Sequence, residues 1–103
     1  LIIAIASTGP DPDAPVSAQA ARAPYYLLFD AQGEMVEALG NPYADTGHGA
    51  APKAAALLAE KGVDELLAGE FGSRLLEELQ ARGIAYRSTE GRCRDRIVER
   101  VKG

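Results

Sequence analysis

Three places in the chain hold residues whose chemistry goes beyond packing. His48, the one histidine, stands between Gly47 and Gly49 in the run Asp45-Thr46-Gly47-His48-Gly49-Ala50. An imidazole on such a loop is exposed and can approach a metal or cofactor from solvent as a neutral nitrogen ligand. The competing reading is an exposed loop histidine with no role. Cys93, the one cysteine, has Arg92, Arg94 and Arg96 around it. Cationic neighbours favour the thiolate, the metal-binding form. Its spacing to Ile97 and Val101 also places it on the buried face of a helix, which is the reading expected here. The third place is a set of turns, Ser7-Thr8-Gly9, Gly69-Glu70-Phe71-Gly72 and Arg87-Ser88-Thr89. Each follows a short apolar segment, and Gly72-Ser73 opens a helix whose first backbone N–H groups are free for an anion. The bland alternative is that these glycines only permit tight turns.

Other chemistries find no support. Asp11, Asp13, Asp30, Asp45 and Glu70 could suggest a carboxylate–metal nuclease, but the first apolar segment carries no acid. A two-metal site needs acids fixed near one another on rigid elements. There is no Gly-x-Ser-x-Gly elbow, Walker loop or Cys-x-x-Cys, so nothing pairs a nucleophile with a base. One Cys and one His also exclude a self-sufficient zinc site of the Cys/His type. A protein that binds rather than catalyses is expected.

The elements that must position these residues follow from pattern and punctuation. Leu1 to Ala6 is continuous and apolar and reads as a buried central strand. Residues 7–23, with several prolines, read as a long loop. Tyr25 to Asp30 and Met35 to Leu39 form a hairpin about Gln32-Gly33. A helix is expected from Lys53 to Lys61, with Pro52 in the first turn, where a missing N–H costs nothing. Gly62-Val63 supplies a glycine stop followed by an apolar contact, and Gly83-Ile84 repeats the device. Between them lie a short strand, Glu65 to Gly69, and a helix with Ser73 as N-cap and Leu75, Leu76 and Leu79 inward. Ile84 to Arg87 reads as the last strand, and a terminal helix carries Cys93, Ile97 and Val101. Two units of helix, glycine stop and strand indicate crossover connections to parallel strands. We expect one α/β domain spanning 1–103, a five-stranded mixed sheet with strand 2 antiparallel to the rest and helices on its faces. In such sheets ligands collect beyond the carboxyl ends of the parallel strands.

The chain has 103 residues, 47% of them hydrophobic and 25% charged. That composition is globular rather than disordered. Aromatics make up 6% against 19 alanines, so the core must be aliphatic with a few tyrosines. The net charge of −4 divides into −7 over residues 1–70 and +3 over 71–103. An acidic chain is a poor nucleic-acid binder, although the basic tail can hold a smaller anion. No apolar run approaches the ~18 residues of a membrane span, and the N-terminal run lacks the basic flank of a signal peptide. One cysteine suits a reducing compartment, so a cytoplasmic protein is expected. The oligomeric state is open.

More specific are the run Gly47-His48-Gly49-Ala50-Ala51-Pro52-Lys53-Ala54-Ala55, then Lys61-Gly62-Val63-Asp64, Ala68-Gly69-Glu70-Phe71-Gly72 and Gly83-Ile84. With Val16-Ser17, Arg22-Ala23-Pro24-Tyr25-Tyr26 and the first strand, they resemble the dinitrogenase iron–molybdenum cofactor biosynthesis family. The type is that of NifX and the NifB C-terminal domain, linked to nitrogen fixation. The resemblance covers nearly the whole chain. It implies a ribonuclease-H-like fold. It also implies binding of an iron–sulfur or iron–molybdenum cofactor, or its precursor, for storage or delivery, with a metallocluster or cluster-delivery protein as partner. Such a cargo suits few protein ligands and many N–H and arginine contacts. Where the family carries a His-Phe-Gly-Arg character, this chain reads Gln19-Ala20-Ala21-Arg22. Arg22 is kept, and His48 is left as the only imidazole and the expected metal ligand. The cofactor-binding set expected is Ser7, Thr8, Arg22, His48, Gly49, Gly69, Glu70 and Gly72. The alternative is a metal-free module that binds an anionic small molecule or a protein partner at the same strand-end loops.

Overall fold

The computed structural model describes residues 1–102. Its elements are β1 (Ile3–Ser7), β2 (Tyr25–Phe29), β3 (Met35–Gly40), α1 (Ala50–Glu60), β4 (Glu65–Ala68), α2 (Ser73–Ala81), β5 (Ala85–Ser88) and α3 (Cys93–Lys102). The sheet order is β3-β2-β1-β4-β5. β2 runs antiparallel to β1 and β3, while β1, β4 and β5 are parallel. This is the mixed α/β sheet expected from the sequence, antiparallel second strand included.

Alternation along the strands divides the interior into two layers. Ala4, Ala6, Tyr26, Leu28, Leu66 and Ala68 join the layer under α1 and α2. Ile3, Ile5, Leu27, Phe29 and Leu67 join the layer under α3, with Cys93 and Ile97. Small residues on β1 suit an alanine-rich helix face, where Ala50, Ala54, Ala55 and Leu58 of α1 are buried. Both glycine stops form. Gly62 and Gly83 have φ of 75° and 70°. The Val63 N–H then donates to the Leu58 carbonyl at 3.0 Å, and the Ile84 N–H to that of Leu79 at 2.9 Å. These bonds satisfy carbonyls that a helix end leaves open.

Several boundaries move, each for a local reason. β1 spans Ile3–Ser7 rather than Leu1 to Ala6, because its pairing with β2 runs from Ile3–Phe29 to Ser7–Tyr25. α1 starts at Ala50, three residues before the expected Lys53. Gly49, in the left-handed region at φ 74°, serves as its N-cap without any side-chain bond. Pro52 still falls in the first turn. Gly72, not Ser73, caps α2, and Ser73 is its first helical residue. β5 is Ala85–Ser88 rather than Ile84 to Arg87, since the Ile84 N–H is used in the helix stop. Gly69 leaves β4 because its N–H turns to the Ser17 carbonyl, 2.9 Å away. Among the described residues no helix is long and apolar enough to cross a membrane.

Candidate ligand-binding rim

The carboxyl ends of β1, β4 and β5 are crossed by a strap formed by residues 15–20, part of the long loop. Val16 bridges Ser7, and Gln19 bridges Glu70. The Ser17 N–H donates to Ala6 at 2.8 Å, the Glu70 N–H to Ala18 at 2.8 Å, and the Ala20 N–H to Glu70 at 3.1 Å. Gly69 makes this closure sterically feasible. A Cβ there would lie 2.8 Å from the Ala18 Cα and 3.2 Å from the Ser17 oxygen. Gly69 is therefore a position of backbone approach, and its N–H is already spent.

Two hollows beside the strap share Glu70. One, of about 600 Å³, is lined by Val16, Ala18, Gly69, Glu70, Ser88, Thr89 and Glu90. The other, of about 460 Å³, is lined by Ala18 to Arg22 and by Glu70, Phe71 and Gly72. Arg22, Gly69, Glu70 and Gly72 of the expected set thus meet on one rim. The N-terminus of α2 opens there without a side-chain cap, so its first N–H groups and positive dipole end remain for an anion.

A buried polar network fixes the chain on which Arg22 rides. The Tyr26 hydroxyl donates to the Ala20 carbonyl at 2.6 Å. The Asn41 amide donates to Ala21 at 3.1 Å, to Ala23 at 2.9 Å and to the Tyr26 oxygen at 3.4 Å. Burial pushes the Tyr26 phenol well above its ordinary pKa, so it remains a donor. From that base the Arg22 guanidinium donates to the carbonyls of Ala44, Thr46 and Gly47. One side chain therefore lines the second hollow and also grips the loop that carries His48.

His48 is exposed, as are Gly49 and Thr8. None of these three lines either hollow, and Arg22 is the link between the imidazole's loop and the rim. Ser7 departs from expectation. It is fully buried, and its hydroxyl donates to the Gly9 carbonyl at 2.6 Å. β1 runs one residue further than its apolar run suggests and carries Ser7 inward. Cys93 is buried at the start of α3, facing the core as expected. Burial raises its thiol pKa, with the nearby Ser7 hydroxyl pulling the other way. The arginines beside it in sequence do not make it a thiolate. Arg94 instead pairs with Asp13 at 2.6 Å.

Sequence reading missed the strap and the Tyr26–Asn41 network. A tyrosine at a strand position with inward neighbours was the available signal, because a buried phenol needs a hydrogen-bond partner. The strap left no signal, since its bonds are between backbone groups distant in sequence. Among the described residues no three His, Cys, Asp or Glu side chains gather to hold a metal ion. The donor set present is one exposed imidazole, one guanidinium and free helix N–H groups. It fits an anionic group held at a surface, not a metal enclosed by side-chain ligands.

These features define a small α/β domain with a candidate ligand rim beyond its parallel strands. The chain belongs to the dinitrogenase iron–molybdenum cofactor family, whose sequence profile matches residues 1–103. Among solved structures it is similar to the apo form of the orange protein from Desulfovibrio gigas. Identity is 31% and the TM-score 0.91, covering 99% of this chain and 88% of that one. It is also similar to a putative NifB protein from Thermotoga, with 35% identity and a TM-score of 0.83, covering 99% and 88%. No curated protein matches the chain.

Proposed function

We propose that this protein binds an iron–sulfur or iron–molybdenum type cofactor, or its precursor, as cargo for storage or delivery, without catalysing a reaction. Membership of the family supports the cofactor class, and similarity to a protein solved in an apo form supports a ligand-carrying role. The observation that carries the reading is the grip of Arg22 on the His48 loop beside the open start of α2. In this reading His48 supplies the single nitrogen ligand. Arg22 and the N–H groups after Gly72 balance the negative charge of a sulfide-rich cluster. Gly49 and Gly69 set backbone, while Glu70 lines both hollows of the rim. The partner is a protein that supplies or receives the cluster, and the cytoplasm is the compartment in which we place it.

Anaerobic reconstitution with iron, sulfide and molybdate, followed by desalting, metal analysis and an absorption spectrum, tests the proposal. Retained metal in a fixed ratio to protein, with sulfide-to-metal charge-transfer bands, is expected. Metal-free protein after desalting contradicts the proposal and favours a module for an anionic small molecule or a protein partner.

A further inference from the structure

A second charged hollow lies away from the Arg22 side of the rim, at the sheet edge. Among the described residues α3 is the one helix on its side of the sheet, and the edge strand β5 stays exposed. Beneath that edge is a hollow of about 210 Å³ lined by Leu67, Arg87, Thr89, Arg96, Glu99 and Arg100. Arg87 pairs in register with Leu67 and shares its face of the sheet. Arg96 and Arg100 stand four residues apart on α3, hence on one side of it.

The three guanidiniums are not equally occupied. Arg100 donates to one oxygen of Glu65, and Arg87 lies 3.9 Å from the other. Glu65 is buried, so one carboxylate under the hollow serves two arginines. Arg96 pairs with no carboxylate among the described residues, and its Nε is buried without a hydrogen-bond partner. That buried Nε sits beside Gly91 with no room for an acceptor, so an anion in the hollow would be met by the terminal N–H groups of the guanidinium. Counting Glu65 and Glu99 against the three arginines, the hollow keeps a surplus positive charge. The planar N–H forks of arginine match the oxygen pairs of tetrahedral oxyanions better than a lysine ammonium does.

We propose that this hollow is a binding site for a small free tetrahedral dianion of the phosphate or sulfate class. Arg96 is its principal donor, and Arg87 and Arg100 flank it. The confined volume suits a free anion. The inference rests on the arginine geometry and is independent of the cofactor reading, although Thr89 borders both this hollow and the larger one on the rim.

The test is a titration of the protein with inorganic phosphate at constant ionic strength, followed by the ¹H–¹⁵N signals of the arginine Nε–H groups, with chloride as the control. Saturable shifts at Arg96, Arg87 and Arg100 are expected, with none in chloride. Arg96→Gln should weaken phosphate binding at least about tenfold, the loss of a charge-assisted donor. Arg87→Gln should weaken it several-fold while Arg100 still holds Glu65, so it decides the matter if Arg96→Gln does not fold. Non-saturating shifts, equal shifts in chloride, or unchanged affinity in folded variants would overturn the proposal. Cluster retention at the rim should be the same in Arg87→Gln and wild type, so failure here is separate from failure of the cofactor reading.

Discussion

Two glycine-bearing turns bound the proposed cargo site, and they are built on opposite principles. At Gly69 the strap backbone lies so close that a single added carbon has no room. At Gly47 and Gly49 an added carbon would meet nothing within 4 Å. The first turn has used its N–H groups in fixing the strap to β4. The second presents an exposed imidazole on a loop that Arg22 grips through three carbonyls. Rigidity and chemical availability are thus assigned to different glycines. Gly69 belongs to the scaffold, whereas Gly47 and Gly49 leave the His48 imidazole exposed.

The largest effect should follow from breaking the closed turn. Gly69→Ala forces apart two backbone segments that no rotamer change can separate, and should cost about 3 kcal/mol. In a thermal melt that is a fall of roughly 15 °C for a domain of this size. An unchanged melting temperature would mean the strap is not fixed at Gly69.

Next comes the network beneath Arg22. Tyr26→Phe leaves the Ala20 carbonyl without its donor and should destabilise by about 1–2 kcal/mol in denaturant titration. Amide exchange in residues 20–23 should quicken more than in α3, because the Tyr26 hydroxyl bonds to the Ala20 and Ala21 carbonyls are lost from that segment.

The open turn should respond by conformation and not by crowding. Gly49→Ala places a side chain at φ 74°, which costs about 1 kcal/mol. Gly47→Ala meets no neighbour and should stay within about 0.5 kcal/mol of wild type. Equal losses at the two positions would remove the distinction drawn between them.

The smallest effect concerns the ion pair that ties the loop before the strap to α3. The hydrogen bond from Arg94, with its charge, holds the Asp13 carboxyl below its usual 3.8. A depressed carboxylate contributes stability above its unfolded pKa and loses it as pH falls through the lower folded value. Carboxyl ¹³C titration should therefore place Asp13 below an ordinary aspartate, and Arg94→Gln should return it to the ordinary range. Both groups are exposed, so the stability difference between pH 7 and pH 3 from this pair should be slight.

The contrast between the turns also marks what the sequence reveals. Helix stops at Gly62-Val63 and Gly83-Ile84 are legible because local geometry demands glycine followed by an apolar residue. The inward face of Cys93, Ile97 and Val101 is legible from helical spacing, and so is the exposure of His48 between two glycines. Ser7 is not, since its burial depends on β1 pairing one residue past its apolar run. Nor is the steric role of Gly69, which arises from a strap some fifty residues away in the chain. The early start of α1 escaped because a left-handed glycine cap bears no capping side chain.

The central claim is that cargo is held through the open turn and not through the buried thiol. Metal content per protein after anaerobic reconstitution and desalting tests it most directly, comparing wild type, His48→Ala, Arg22→Gln and Cys93→Ser. His48→Ala should lose most of the cluster, Arg22→Gln a large part and Cys93→Ser little. The reverse ranking, with Cys93→Ser empty and His48→Ala loaded, would contradict the claim and move the ligand to α3.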